Sequence, residues 1–282
     1  SSMLAEAVHS VADTGNQILL LTGGRSAQKE ATAEHPFGYG RERYISAFLV
    51  SIILFSLGGL FALYEAFHKY EEIMGGHPNE LLEGPWWWVP IVVLVAAIVA
   101  ESFSFRTAIR ESTPAKGGQT WGRFIRTAKS PELPVILLED FAALLGLAFA
   151  LLGVGLTLAT HDGIWDVVGT AMIGLLLIAV AVTLAIETKS LLLGEAATPE
   201  AVARIRRALD GADGVDRVIH LKTLHLGPEE VLVAAKIAVE PTLAAARVAE
   251  VINNAEEAIR ASEPSVTALY LEPDIDLSPS DA

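Results

Sequence analysis

The chain has 282 residues, of which 52% are hydrophobic, and a formal net charge of −14. Its mean hydropathy of +0.44 is too high for an ordinary soluble protein, so the composition predicts an integral membrane protein. Because the sequence has no cysteine, disulfides and thiolate metal sites are excluded.

The first apolar segment, MLAEAVHSVADTGNQILLL, carries His9 and Asp13 four residues apart. At that spacing both side chains leave the same helix face, where a neutral imidazole and a carboxylate can bind one divalent cation. Glu6 and Asn16 lie on the same stripe. A structural alternative is a polar face turned inward, with His9 bonded to a backbone carbonyl and Asp13 to a neighbouring helix. Ionisable groups inside a membrane span are costly and usually functional, so we predict half of a metal site.

Four further apolar stretches follow the opening one, at about residues 45 to 68, 87 to 109, 131 to 159 and 163 to 188. Each approaches or exceeds the ~20 residues that a membrane-spanning helix needs. Lys and Arg are concentrated in the loop after the first span and in the loop before the fourth, which predicts that both loops are cytoplasmic. Five spans with a cytoplasmic C-terminus leave the N-terminus outside. We therefore expect one earlier span, and six in the full protein.

The composition changes after Glu187, and residues 195 to 282 are predicted to form a separate cytoplasmic domain. Its pattern is helix 199 to 209 with Thr198 as N-cap, strands 215 to 226 and 230 to 240, helix 241 to 261 and strand 266 to 272. The order α-β-β-α-β is typical of a ferredoxin-like fold. This segment has sixteen acidic and eight basic residues, a balance that argues against nucleic acid as a partner.

The run LAEAVHSVADTGNQ, the loop HPFGYGRERY, the inferred six spans and the tail with LKTLHLGPEEVLVAAK together resemble the cation diffusion facilitator family. The resemblance is strongest to the branch that includes the mitochondrial zinc transporters of animals. It implies a homodimeric exporter of Zn²⁺, or a similar ion, in exchange for protons. It also implies a transport domain at residues 1 to 194 and a dimerisation domain at residues 195 to 282. The metal would bind at mid-membrane between the first and fourth spans of this chain.

The fourth span should then supply the other half of the site, and the acidic residues within its hydrophobic run are Glu139 and Asp140. Many family members carry a pair spaced by four here, whereas this chain has Ile136 and Ala143 at those positions. Adjacent helical residues point about 100° apart, so both carboxylates cannot face an ion equally. We expect Asp140 to be a ligand and Glu139 to be a second ligand or a proton carrier. A helix-end pairing with Arg or Lys of the loop is the structural alternative.

One imidazole with two or three carboxylates suits Zn²⁺, although Mn²⁺, Fe²⁺, Co²⁺ or Cd²⁺ also fit such donors. An enzyme is not expected, because the spans have neither His-Glu-x-x-His nor Gly-x-Ser-Gly. The irregular fourth span leaves a transport-inactive scaffold or partner subunit of the same fold as the alternative. The expected location is a bacterial inner (plasma) membrane, with the C-terminal domain in the cytoplasm.

Overall fold

The computed structural model describes residues 2–76 and 86–275, with side chains from Gly15 onward. The chain forms two compact units. The first comprises residues 1–24 and 43–189, and the second comprises residues 25–42 and 190–282.

The helices of the first unit follow the hydrophobic segments of the sequence. In chain order they are α1 (Ser2–Ala27), α2 (Glu42–Ile53), a π-helical segment (Leu54–Leu60), α3 (Phe61–Met74), α4 (Val89–Lys116), α5 (Trp121–Thr127), α6 (Glu132–Thr160) and α7 (Ile164–Leu193). Four helices of the described chain are long and apolar enough to cross a membrane: residues 42–74, which run through α2 and α3, and then α4, α6 and α7. The four later spans are therefore confirmed, and the predicted opening span is helical as α1.

The start of α6 differs by one residue from the expected pattern. The run Ser130-Pro131-Glu132 predicts Ser130 as the N-cap and Pro131 as the first helical residue. Instead Pro131 occupies the N-cap position and α6 begins at Glu132, with no side-chain cap hydrogen bond. The reason is that the carbonyl of Pro131 already accepts the first intrahelical bond, from the N–H of Val135 at 3.1 Å.

The π-helical segment Leu54–Leu60 joins α2 to α3 and was not predicted. It contains Gly58 and Gly59, and Gly59 lies directly against α7. A Cβ added at Gly59 would lie 2.5 Å from Ile178 Cγ1 and 3.2 Å from the backbone nitrogen of Ile178. Local departures from α-geometry of this kind occur where a helix must adapt to a close neighbour or to a functional site. Tertiary contact, rather than local sequence, therefore determines this segment.

The core of the first unit is an apolar cluster supplied by α2, the π-helical segment, α6 and α7. Its buried members are Ala47, Val50, Leu54, Val135, Ala142, Leu177, Val180, Ala181 and Leu184. Leu19 and Leu20 of α1 pack against this cluster. The helix that carries the predicted half-site is therefore held beside α6, the helix that carries the two acidic residues.

The second unit has the predicted α-β-β-α-β order. Its elements are α8 (Pro199–Asp210), β1 (Arg217–Gly227), β2 (Glu230–Ala238), α9 (Ala245–Ser262) and β3 (Val266–Asp274). The sheet order is β1-β2-β3, with β1 and β2 antiparallel and β2 and β3 parallel. The predicted cap is confirmed, because the Thr198 side chain accepts a bond from the N–H of Ala201 at 3.3 Å. Helix α9 begins four residues later than expected, since a turn closes first through the N–H of Leu243 to the carbonyl of Glu240.

Residues 25–42, which comprise the loop between α1 and α2 together with the adjoining helix ends, are part of the second unit. Gly40 packs against the β1–β2 turn so closely that an added Cβ would lie 3.0 Å from Gly227 Cα and 3.0 Å from the carbonyl oxygen of Leu226. Both contacts are with backbone, so only glycine fits there without displacement. The compact units therefore group this loop with the tail, which a division at residue 194 does not anticipate.

Candidate metal site between α1 and α6

The first half of the predicted site lies on α1. The structure describes a continuous helix from Ser2 to Ala27, so positions 9, 13 and 16 share one face of it. The side chains of Glu6, His9 and Asp13 lie outside the described residues. Asn16 is therefore the member of this stripe whose contacts the structure describes.

Asn16 connects α1 to α6. Its side chain is 1% exposed, and its Nδ2 donates a hydrogen bond to Glu139 Oε1 at 2.9 Å. Among the residues whose side chains the structure describes, Asn16 Oδ1 has no hydrogen-bond partner. The face of α1 that carries His9 and Asp13 thus meets α6 at Glu139.

Asp140, the second acidic residue of α6, contacts a different helix. Its Oδ2 accepts a hydrogen bond from Ser104 Oγ of α4 at 2.9 Å. The two adjacent carboxylates therefore contact α1 and α4 respectively, as their offset of about 100° requires. Each has one oxygen held by a neutral donor of another helix.

Ser104 is a residue that reasoning from the sequence missed. The available signal was weak: Ser104 is one of two serines that follow Glu101 in the middle of α4. Serine in a membrane helix commonly bonds to its own backbone, as Ser102 does to the carbonyl of Ile98 at 2.6 Å. Only the fold distinguishes Ser104, which bonds to a carboxylate, from Ser102.

In the part of the chain whose side chains the structure describes, no three His, Asp or Glu come together as a metal-binding group. That part excludes the side chains of His9 and Asp13. What the structure brings together is therefore the two carboxylates of α6 with polar partners from α1 and α4.

Two ion pairs lie toward opposite ends of the first unit. At the start of α6, Arg43 Nε is 3.4 Å from Glu132 Oε1. Between α3 and α7, Lys69 Nζ is 2.9 Å from Asp166 Oδ2 and also donates to Thr170 Oγ1 at 3.3 Å. Both pairs connect helices that are distant in sequence, and neither was predicted.

Comparison with known families identifies both units. Residues 1–193 match the family model of the cation efflux transmembrane domain, and residues 197–273 match the cytoplasmic domain of cation efflux proteins. The chain belongs to the cation efflux, or cation diffusion facilitator, family. The family resemblance that we inferred from the sequence is therefore confirmed.

Named relatives agree with this family. The chain is 32% identical over 241 residues to the mitochondrial proton-coupled zinc antiporter SLC30A9 of Mus musculus, which covers 84% of this chain and 41% of the relative. It is 29% identical over 233 residues to metal tolerance protein C4 of Arabidopsis thaliana, a match that covers 80% of this chain and 48% of the relative. It is 26% identical over 113 residues to magnetosome protein MamM of Paramagnetospirillum magneticum, a match that covers 40% of this chain and 34% of the relative. The chain thus spans less than half the length of these curated relatives.

The tail of this cation efflux protein carries a lysine between two carboxylates on its sheet. Lys236 Nζ lies 2.9 Å from Asp274 Oδ2 and 3.0 Å from Glu272 Oε1. Hydrogen bonds to Asp274 and then Glu272 raise the pKa of Lys236 above its usual value. His220 and His225 have opposite parity on β1, which predicts that they point to opposite faces of the sheet. Accordingly, His220 is exposed whereas His225 is buried.

Proposed function

We propose that this chain exports a divalent metal cation, most suitably Zn²⁺, from the cytoplasm in exchange for protons. The observation that carries the proposal is the hydrogen bond between Asn16 and Glu139. It joins the helix face of His9 and Asp13 to the pair of carboxylates in α6. Family membership supports the same activity, and the relative named a proton-coupled zinc antiporter supports both zinc and proton coupling.

The proposed ligands are His9 and Asp13 of α1 with Asp140 of α6, and Glu139 acts as a second carboxylate ligand or as a proton carrier. An imidazole and two or three carboxylates provide a four-coordinate set that suits Zn²⁺ at ~2.0 to 2.2 Å. Mn²⁺, Fe²⁺, Co²⁺ and Cd²⁺ also bind to such donors, so the availability of each metal in the cell would contribute to which ion is transported. Ser104 supports this arrangement, because its hydroxyl donates to one oxygen of Asp140 and so orients the carboxylate.

Proton exchange follows from the chemistry of the ligands. Carboxylates and imidazole must be deprotonated to bind metal, so protons and metal compete for the same atoms. The unperturbed pKa of histidine is ~6.5, which makes His9 the member that titrates nearest neutral pH. Metal would bind from the cytoplasm, and protons would displace it on the other side.

The chain is also proposed to work as a homodimer, with residues 1–194 transporting and residues 195–282 pairing the two copies. The match to the cytoplasmic domain of cation efflux proteins supports this division. We propose a bacterial inner membrane as its location, although the relatives named above include mitochondrial as well as bacterial proteins. Fractionation of the source cells tests that location.

Reconstitution into vesicles tests the proposed function. The wild-type chain should move zinc across the bilayer, whereas His9→Ala and Asp13→Ala should abolish transport while leaving expression and dimerisation intact. The assay should include Mn²⁺, Fe²⁺, Co²⁺ and Cd²⁺ to determine preference. A folded wild type that moves none of these ions under any gradient would instead support the transport-inactive scaffold.

A further inference from the structure

The ion pair between Arg43 and Glu132 lies on the same face of α6 as Glu139 of the candidate metal site. On α6, Glu132, Val135 and Glu139 are spaced three and four residues apart, so they form one stripe about two turns long. On α2, Arg43, Ala47 and Val50 form the matching stripe. The ion pair and Glu139 are thus at opposite ends of one helix interface.

Buried apolar side chains occupy the intermediate positions of these two stripes. Ala47, Val50 and Val135 are each 0% exposed and belong to one packed cluster, and we call them the apolar layer. The order along the interface is therefore the ion pair, then the apolar layer, then the Glu139–Asn16 hydrogen bond. A hydrated cation cannot pass a close-packed layer of this kind without separation of α2 and α6.

The ion pair is on the cytoplasmic side of this interface. Helices α6 and α7 are joined by three residues and pack closely through Gly153 and Gly169. The start of α6 and the end of α7 therefore lie on the same side of the helical bundle. The end of α7 leads into the segment that matches the cytoplasmic domain. Arg43 and Glu132 therefore stand at the cytoplasmic entrance of the path to Glu139.

We propose that Arg43 and Glu132 form the cytoplasmic gate of the transport path and that Glu132 is also the first carboxylate a cation meets. In the closed state, which this structure represents, the guanidinium neutralises Glu132 and repels a cation. When α2 and α6 separate, Glu132 is released and can attract the cation toward Glu139. The inference rests on the proposed function for the identity of the ion.

The pair has properties that suit a reversible closure. Its side chains are 25% and 24% exposed, and Arg43 Nε and Glu132 Oε1 are 3.4 Å apart rather than in tight bidentate contact. Partly exposed ion pairs contribute little to stability, so such a pair can break in every transport cycle.

The absence of native cysteine provides a direct test of the gate that does not depend on transport. Ala47→Cys places one thiol in the apolar layer, and its rate of reaction with a membrane-impermeant maleimide is measured in inside-out vesicles. Val50→Cys is a second reporter if the first does not fold. Arg43→Gln and Glu132→Gln should each raise the rate of maleimide labelling up to about fivefold, which corresponds to ~1 kcal/mol for the lost ion pair. The reversed pair R43E/E132R should restore slow labelling.

Lys69→Gln is the matched control, because it breaks an ion pair of the same unit between α3 and α7. It should leave the labelling rate unchanged. An equal rise in Lys69→Gln, or no rise in Arg43→Gln and Glu132→Gln, would overturn the gate. If the wild-type chain moves no cation but the variants show the expected labelling rates, the proposed function is overturned and the gate stands.

Transport kinetics test the second part of the proposal. Both gate variants open the entrance, but only Glu132→Gln removes the entry carboxylate. Glu132→Gln should therefore raise the KM for zinc, whereas Arg43→Gln should not. Equal KM values in the two variants would remove the entry role of Glu132.

Discussion

At the scale of single residues, the two adjacent carboxylates of α6 have different surroundings. Glu139 accepts from Asn16 of α1, and Asp140 accepts from Ser104 of α4. Neighbouring helical positions cannot share one direction, so a site built on both residues must assign them different tasks. The sequence shows this conflict, but only the fold shows which helix each residue contacts.

Substitution of each carboxylate separates their proposed roles. Asp140→Asn should eliminate metal binding, because a neutral amide oxygen is a much poorer donor to a divalent ion. Glu139→Gln should retain binding but flatten the pH dependence of transport, since one titrating group is lost while the coordination sphere survives. Zinc affinity and transport rate from pH 6 to 8 provide the measurement. Reversed phenotypes would make Glu139 the ligand.

Ser104 provides a prediction with a control in the same helix. Ser104→Ala removes the hydroxyl that donates to Asp140, and loss of such a supporting contact typically weakens metal binding by about 10- to 100-fold. Ser102→Ala should leave zinc affinity unchanged, because the Ser102 hydroxyl bonds to the carbonyl of Ile98. Isothermal titration of both variants decides the matter. A similar loss in Ser102→Ala would mean that α4 acts only through its general packing.

At the scale of elements, the fit between the π-helical segment and α7 depends on glycine. Gly59→Ala should lower the melting temperature of the detergent-solubilised protein, because its new methyl group would lie 3.2 Å from the Ile178 backbone nitrogen. Gly155→Ala is the control, since an added Cβ there meets nothing within 4 Å and alanine favours the helix. Thermal unfolding of the two variants should therefore diverge. Equal melting temperatures would contradict the close packing of this segment on α7.

The tail contains an ion pair between Arg204 of α8 and Glu263, and its contribution to stability should depend on pH. Burial raises the pKa of Glu263, but hydrogen bonds from Ser265 and Arg204 outweigh it and hold the pKa below its usual value. The stabilisation is therefore present above the unfolded pKa and is lost as pH falls through the lower folded pKa. Arg204→Met should lower the melting temperature of a 195–282 fragment at pH 7 more than at about pH 3. If the pair contributes ~1 kcal/mol, the difference is roughly 4 to 8 °C.

The exposed pair of Arg260 and Glu256 serves as the control for this measurement. Arg260→Met should change the melting temperature little at either pH, because exposed pairs four residues apart on a helix contribute only a few tenths of a kcal/mol. An equal effect of both substitutions, or an Arg204→Met effect that grows in acid, would contradict the assigned role of Glu263.

These elements show what the sequence could and could not determine. Hydropathy determines the four later spans, and strand alternation with the Thr198 cap determines the order of the tail, because both signals are local. The π-helical segment depends on Gly59 meeting Ile178, and the assignment of residues 25–42 to the tail depends on Gly40 meeting Gly227. Ser104, Arg43 and Glu132 act through partners on other helices. Contacts between distant residues leave no periodic signal in a single sequence.

At the scale of the whole molecule, both α1 and α2 are connected to α6. Helix α1 contacts α6 at the candidate metal site, and α2 contacts α6 at the proposed gate. The loop between α1 and α2 belongs to the compact unit of the tail. The chain thus links α1 and α2 directly through a segment that is docked on the cytoplasmic domain.

The central claim is that one site exchanges a metal ion for protons. Simultaneous recording of zinc and pH inside proteoliposomes, with a zinc dye and a pH dye in the same vesicles, tests it most directly. The account predicts that zinc entry raises internal pH as protons leave, that an imposed proton gradient drives zinc movement, and that His9→Ala stops both signals together. Zinc movement that leaves internal pH unchanged, or proton flux that persists in His9→Ala, would contradict it.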